Sequence, residues 1–496
     1  MDRASDQILK LRTSRCAAFV LLALLATAVG MGGLAEAQPA ETGGPPNGEK
    51  LAAAADPTLT AFRAGEQYLV VHQGATPLET VEALLEEMGG WVDHEWPEMA
   101  TVAVAGIDER AAHRLRRLPG VSGVHRDVEL QWVAPPVAPE FVALDGPEAL
   151  SAVEPVVSAR DPSTAFFYNF WQWNMRQIQA DAAWQSSRRG AETLVCVLDT
   201  GIDATHGDLI GRVRPFPVSR SVVASDPLPE VFEDFNFHGT FVAALITSNG
   251  LGIASVAPEA DLCAIKVLSN NGMGSFSDVI AGIVHATDVG ADVINMSLGA
   301  LLPVKGFEDL VRSLQDAVDY ARLRGVVVVA AAGNNRLNMD EHKDLLHIPS
   351  MLRGVLSAGA TGPLNQRNFD RRASYSNYGK RGLDVMAPGG EVPAFQRRDA
   401  IISACARFAF CSFFPFFCPC ISGGVYVHSQ VGTSFASPHT AGAVAVAKSE
   451  GHQQPDHCVT TGADRITESG NDPIYGRGRI NVFQAALCQR LHTDPE

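Results

Sequence analysis

Val195-Cys-Val-Leu-Asp-Thr-Gly-Ile202 is the stretch from which the rest of the chain is ordered. Four apolar residues lead into a carboxylate and then a Thr-Gly turn. That pattern predicts a buried central strand that delivers Asp199 to its C-terminal end. Comparable apolar runs recur at 262–268, 293–297, 326–331 and 355–358. Between and after them, helical patterns are predicted at 238–247, 277–289, 307–324 and 434–450. The alternation implies an α/β fold with a mostly parallel sheet and helices on both faces. In such sheets, functional groups gather at the C-terminal ends of the strands.

Upstream of this domain the chain has a different character. Lys10, Arg12 and Arg15 precede an apolar run at 17–29, and Ala35-Glu36-Ala37 offers a small-residue cleavage site, so residues 1–37 read as an export signal. The run of about 13 residues falls short of the roughly 20 needed to span a bilayer. No stable membrane span is expected, and the protein is placed outside the cytoplasm, secreted or periplasmic. Residues 38–66, rich in Ala, Pro and Gly, read as a spacer. Residues 67–131 carry a β-α-β-α-β pattern: strands at 68–71, 100–105 and 121–130, and helices at 77–88 and 108–118. That order suits a small α+β domain of about 65 residues. Pro-rich sequence at 132–172 reads as an exposed linker with a processing site, and 173–490 as the main domain.

Composition excludes some classes. Of the 496 residues 46% are hydrophobic and 19% charged, so most of the chain should fold. The net charge of −16, with no long basic run, argues against nucleic-acid binding, which needs clustered Lys and Arg. Of the nine cysteines, Cys16 leaves with the signal. Cys405, Cys411, Cys418 and Cys420 crowd together, and Cys458 and Cys488 flank the C-terminal segment. Export makes disulfides feasible, without indicating their pairing. Cys196 and Cys263 sit singly in apolar runs and are expected to be buried thiols acting as small hydrophobes. The Cys418-Pro-Cys420 spacing is compatible with a metal, but no His lies at ligand spacing, so zinc is not assigned.

Three further residues complete a catalytic pattern with Asp199. His238, in His238-Gly-Thr-Phe-Val242, opens a predicted helix, where its imidazole can act as a base if Asp199 holds its tautomer. Ser434, in Gly432-Thr-Ser-Phe-Ala-Ser-Pro-His439, starts another helix, whose N-terminus favours developing negative charge. Asn334 follows the buried run Val326-Val-Val-Val-Ala-Ala-Ala-Gly333, placed to donate to an oxyanion together with the Ser434 N–H. Asp, then His, then Ser is one of several unrelated chain orders for such a triad.

On these motifs the region from about Trp173 to Cys488 resembles the catalytic domain of the subtilisin family of serine endopeptidases. The resemblance implies hydrolysis of protein or peptide substrates through an acyl-enzyme, with Asp199, His238, Ser434 and Asn334 as the catalytic set. It also implies substrate contacts at Gly272, Gly274 and Phe276 in the segment 266–277. Further contacts are implied at Ser297, Leu298 and Gly299, a wall of the primary specificity pocket, and at Ala331 and Gly333. Residues 67–131 are similar to the family's inhibitory propeptide, so a self-processed zymogen, monomeric and inhibited by its own propeptide, is expected. No cofactor is required on this resemblance. Calcium is an optional ligand, with Asp208 as its candidate position, although Thr247-Ser-Asn-Gly-Leu-Gly252 is short for a calcium loop. Phe241 stands where relatives often carry a second His. The Cys- and Phe-rich insert at 404–424 leaves a dedicated maturation protease open as an alternative; a non-catalytic scaffold on the same fold is a second, against which the intact triad and oxyanion positions argue.

Overall fold

The computed structural model describes Thr60 and residues 62–72, 78–134 and 161–488, apart from 225, 227, 392–396, 408–426 and 469–470. The export signal, nearly all of the spacer and the linker beyond Ala134 as far as 160 lie outside the described residues. So do Cys411, Cys418, Cys420 and the six Phe of the insert.

The N-terminal unit runs β1 (Phe62–His72), α1 (Leu78–Met88), β2 (Trp91–Trp96), β3 (Thr101–Ala105), α2 (Glu109–Leu115) and β4 (Val121–Gln131). The strands pair antiparallel in the order β2-β3-β1-β4. Its core joins Tyr68 and Val70 of β1 to Val81 and Leu85 of α1 and Leu115 of α2. Asp108 caps α2 by accepting from Ala111 N at 2.8 Å. Two features depart from the sequence pattern. β1 starts at Phe62, inside the expected spacer. β2 is an additional strand, so the order is β-α-β-β-α-β. Its sequence Trp91-Val-Asp-His-Glu-Trp buries only Trp96, so no apolar alternation marks it; its place comes from the ladder with β3.

The main domain contributes β5 (Leu194–Asp199), β6 (Arg220–Ser221), β7 (Asp261–Lys266), β8 (Met273–Ser275), β9 (Val293–Met296), β10 (Ala300–Pro303), β11 (Val327–Ala331), β12 (Leu345–Ile348), β13 (Val355–Thr361) and β14 (Val385–Pro388). Seven of them form a sheet in the order β14-β13-β11-β9-β5-β7-β6, each pairing parallel. Successive strand residues face opposite sides. Val195 and Val197 of β5 and Val327 and Val329 of β11 enter the core shared with α3 (His238–Ile246) and α6 (Thr433–Ser449). Cys196, Leu198, Val328 and Ala330 enter the core shared with α4 (Phe276–Asp288) and α5 (Glu308–Leu323). Burial on both faces is why these strands read as unbroken apolar runs. Ala165, Phe167 and Tyr168 join the first core, so main-domain packing begins before Trp173. Pro438 lies inside α6.

Cys196 and Cys263 are not free thiols. β5 and β7 pair with these two residues directly opposite, and they form a disulfide with Cα atoms 4.5 Å apart. A sequence separation of 67 hid a contact that the parallel crossover creates. Cys458 and Cys488 form a second disulfide. Among the described residues no helix is long and apolar enough to cross a membrane.

The two units share one sheet edge. β4 continues antiparallel onto β8, giving a five-stranded sheet β2-β3-β1-β4-β8. Beside this joint Asp127, fully buried, accepts from Ser277 Oγ at 2.5 Å, Phe276 N at 3.1 Å and Ser277 N at 3.2 Å. A carboxylate of the N-terminal unit thus satisfies the first amides of α4, where the helix dipole favours negative charge. Burial pushes the Asp127 carboxyl up, and pushes neighbouring Asp278 up to about 7.

Replacing Cys196 and Cys263 together by Ala should lower stability by about 2–4 kcal/mol, because the bridge closes a long loop in the unfolded chain. Urea unfolding under oxidising conditions measures it; an unchanged midpoint would contradict a stabilising bridge.

Candidate active site

Asp199 is the last residue of β5 and its carboxylate is fully buried, an arrangement that costs several kcal/mol unless partners replace water. Thr200 N donates to Oδ1 at 2.7 Å. His238 Nδ1 lies 2.8 Å from Oδ1 and 3.0 Å from Oδ2. The ring belongs to the first residue of α3, and Gly239 allows that helix to come so close. A Cβ at Gly239 would sit 2.0 Å from Gly201 O and 3.2 Å from Asp199 Cβ. With Nδ1 held by the carboxylate, Nε2 is the nitrogen left for chemistry.

Two residues that motif reasoning passed over build this corner. Asp234, fully buried, accepts from Thr200 Oγ1, from the N–H groups of Asn236, Phe237 and Thr240, and from Thr240 Oγ1 at 2.7–3.0 Å. It thereby seats the start of α3 and holds Phe237 at φ +110°, a conformation bulky residues rarely adopt. Lys266 ends β7 directly opposite Asp199. Its ammonium donates to Thr200 O at 3.1 Å, Leu268 O at 2.5 Å and Asn270 Oδ1 at 3.3 Å. Asn236 Nδ2 donates to Asn270 O, and His238 N to Asn236 Oδ1, which closes a ring of contacts from Asp199 back to His238. Burial lowers the Lys266 ammonium pKa, against the opposing charges of Asp226, Asp234, Asp199 and Asp278. The only sequence signal for either residue was a charged side chain at the edge of an apolar segment.

Ser434 is the second residue of α6, half-buried, just beyond Gly432. α6 adjoins α3, with the rings of His238 and Phe435 5.7 Å apart and those of Phe241 and Phe435 4.5 Å apart. Phe241, in place of a second His, thus serves packing. Among the described residues no hydrogen bond reaches Ser434 Oγ; such contacts often tighten only when substrate binds. Asn334 is exposed beyond the end of β11. Its Oδ1 accepts from Thr433 N and Thr433 Oγ1, both at 2.9 Å. The backbone donor requires oxygen there, so the Asn334 amide turns its two Nδ2 protons away from Thr433.

The cleft expected between the segments 266–277 and 297–299 is met by the chain itself, at Gln131, Trp132 and Val133. Trp132 N and Val133 N donate to Gly272 O at 3.1 and 3.2 Å, and Gly299 N donates to Trp132 O at 3.1 Å. Trp132 Nε1 donates to Gly274 O at 2.9 Å, and its ring meets Phe276 edge-on at 5.7 Å. Gln131 Nε2 donates to Val133 O at 2.6 Å and Asn271 O at 2.7 Å. Gly272, Gly274, Phe276 and Gly299 therefore all touch one extended segment, and Leu298 shares its apolar cluster. Ser297 instead turns inward, accepting from Asn295 Nδ2 at 2.9 Å. Ala331 is the last residue of β11, and Gly333, two positions on, donates its N–H to Thr433 Oγ1 at 3.1 Å.

Asp208 does not fit a calcium ligand. Its Oδ1 accepts from Ser248 Oγ at 2.9 Å, Leu251 N at 2.8 Å and Gly252 N at 3.1 Å, and Oδ2 accepts from Gly252 N at 3.2 Å. N–H and O–H donors point at the lone pairs a cation would need. The short loop 247–252 folds onto the carboxylate with its own amides.

The profile of the Subtilase family matches residues 190–477. A thermophilic serine proteinase of Bacillus sp. (strain AK1) is 33% identical over 345 residues, covering 67% of this chain and 73% of the relative. Subtilisin E of Bacillus subtilis (strain 168) is 32% identical over 412 residues, covering 81% and 85%. The crystal structure of fervidolysin from Fervidobacterium pennivorans, a keratinolytic enzyme related to subtilisin, superposes with a TM-score of 0.64 at 25% identity. That match covers 87% of this chain and 62% of that one.

Burial pushes His347, His428 and His439 each down to about 4. An unfolded His titrates near 6.5, so the unfolded chain takes up these protons first as pH falls. Their contribution is complete above about pH 6.5 and is lost towards pH 4, on the order of 3 kcal/mol per residue. Urea unfolding from pH 7.5 to 4.5 should show this decline; a flat profile would contradict it.

Proposed function

The chain belongs to the subtilase family and is a serine-type endopeptidase, and on that premise we propose the following mechanism and life cycle. Ser434 Oγ attacks the scissile carbonyl while His238 Nε2 takes its proton. Asp199 keeps the Nδ1–H tautomer and stabilises the imidazolium that forms. Asn334 Nδ2 and the Ser434 N–H hold the oxyanion, and the N-terminus of α6 favours its charge. His238 returns the proton to the leaving amine, and water then hydrolyses the acyl-enzyme by the same base. The observation that carries this reading is the approach of His238 Nδ1 to the buried Asp199 carboxylate at 2.8 Å.

The enzyme is made with an export signal as a zymogen, acts outside the cytoplasm, and is inhibited by its N-terminal unit until self-cleavage in the linker releases it. The support is the antiparallel pairing of β4 on β8 and the occupation of the cleft by Trp132 and Val133. An inhibitor presented as an extra strand gains backbone hydrogen bonds whatever its side chains.

A fluorophosphonate should label Ser434 in the processed enzyme and fail to label Ser434→Ala. N-terminal sequencing should find a processed chain for the active form and an unprocessed one for Ser434→Ala expressed alone. Labelling that persists in the variant, or processing without the serine, would count against the assignment. Asn334→Ala should lower kcat by about 10²–10³ with little change in KM, a size known from a subtilisin rather than calculated for this chain.

A further inference from the structure

His347 lies between Gly299, which holds the Trp132 carbonyl, and Gly333, which precedes Asn334. It sits on β12, opposite Leu301 of β10, and is 3% exposed. A Cβ added to Gly299 would come within 2.4 Å of its Cε1 and 2.8 Å of its Nε2. One added to Gly333 would come within 2.4 Å of the same Nε2 and 2.6 Å of Cδ2. The outer edge of the imidazole is therefore clamped between the segment Ser297-Leu298-Gly299 and the segment Ala331-Ala332-Gly333. A substrate side chain entering between those walls would have to share the space with the ring.

The ring has little room to withdraw. Its Nδ1 lies 2.8 Å from Ser350 Oγ, which also lies 3.3 Å from the His347 carbonyl, so its inner edge is tied to its own strand. Behind Gly333 the Asn377 amide is fixed on Ala332 O at 3.0 Å and accepts from Asn335 N and Leu337 N, each at 3.0 Å. Next to it, Ile348 is fully buried. Nε2 meets no hydrogen-bond partner among the described residues.

We propose that His347 forms the floor of the primary specificity pocket, so that this enzyme cleaves after small residues such as Ala, Ser and Gly and disfavours Phe, Tyr and Leu. The inference rests on the peptidase reading above and names its substrate class. An aromatic side chain needs a deep apolar slot, and a well-packed ring in that slot cannot be compressed without displacing its neighbours. Discrimination of this steric kind amounts to roughly 10- to 100-fold in kcat/KM.

The test uses processed enzyme obtained from the full-length chain and a series of peptide p-nitroanilides. These are identical except for Ala, Ser, Leu or Phe before the scissile bond. Active enzyme is counted by fluorophosphonate titration of Ser434, so an absence of labelling overturns the peptidase reading, while labelled enzyme tests the pocket alone. Wild type should favour Ala over Phe by about tenfold or more in kcat/KM. His347→Gly and His347→Ala should reduce that ratio by at least about tenfold, by gaining on Phe through KM. Wild-type preference for Phe, or an unchanged ratio in either titrating variant, would overturn the proposal. Should neither variant fold, the wild-type profile decides it.

Discussion

A buried carboxylate facing an imidazole sets the terms for the rest of this molecule. Asp199 is fully buried, so its charge is supported by Thr200 N, by His238 Nδ1 and by the ammonium of Lys266 one strand away. Each partner arrives on a different element, and each needs its own support. Asp234 seats the start of α3, and the hydrogen-bond ring through Asn236 and Asn270 ties that start to the segment leading into the cleft. The corner therefore behaves as one network, in which removing any member exposes a desolvated group.

The cleft follows a different physical rule, that of unpaired strand edges. β8 is a short edge whose backbone groups accept a partner strand, and in this chain β4 and Trp132 supply one. Asp127 adds a charge that completes α4 from across the joint. On the zymogen reading proposed above, substrate would use the same donors and acceptors that the N-terminal unit holds here.

Much of this was legible in the residues. The parallel sheet was readable because strands buried on both faces leave continuous apolar runs, and the residues ending β5 and opening α3 and α6 stood out by their motifs. Other features left no local trace. β2 is held by its ladder, with charged residues facing out. Cys196 and Cys263 meet only because β5 and β7 are neighbours. Asp208 read as a metal ligand from its position, yet the loop 247–252 turns its amides onto that carboxylate. Asp234 and Lys266 carry no motif of their own and acquire meaning only from what surrounds them.

By itself the amino-acid sequence determined the α/β class, the chain order of Asp199, His238 and Ser434, and the presence of Asn334 at a strand end. Periodicity, helix starts and turn residues are local properties, written within a few positions of one another. Only the tertiary structure decided that Cys196 bridges Cys263, that Asp208 accepts from the amides of Leu251 and Gly252, that residues 131–133 meet Asn271, Gly272 and Gly299, and that His347 stands between Gly299 and Gly333. Those outcomes depend on contacts between elements far apart in the chain, whose energies are set by burial and close packing.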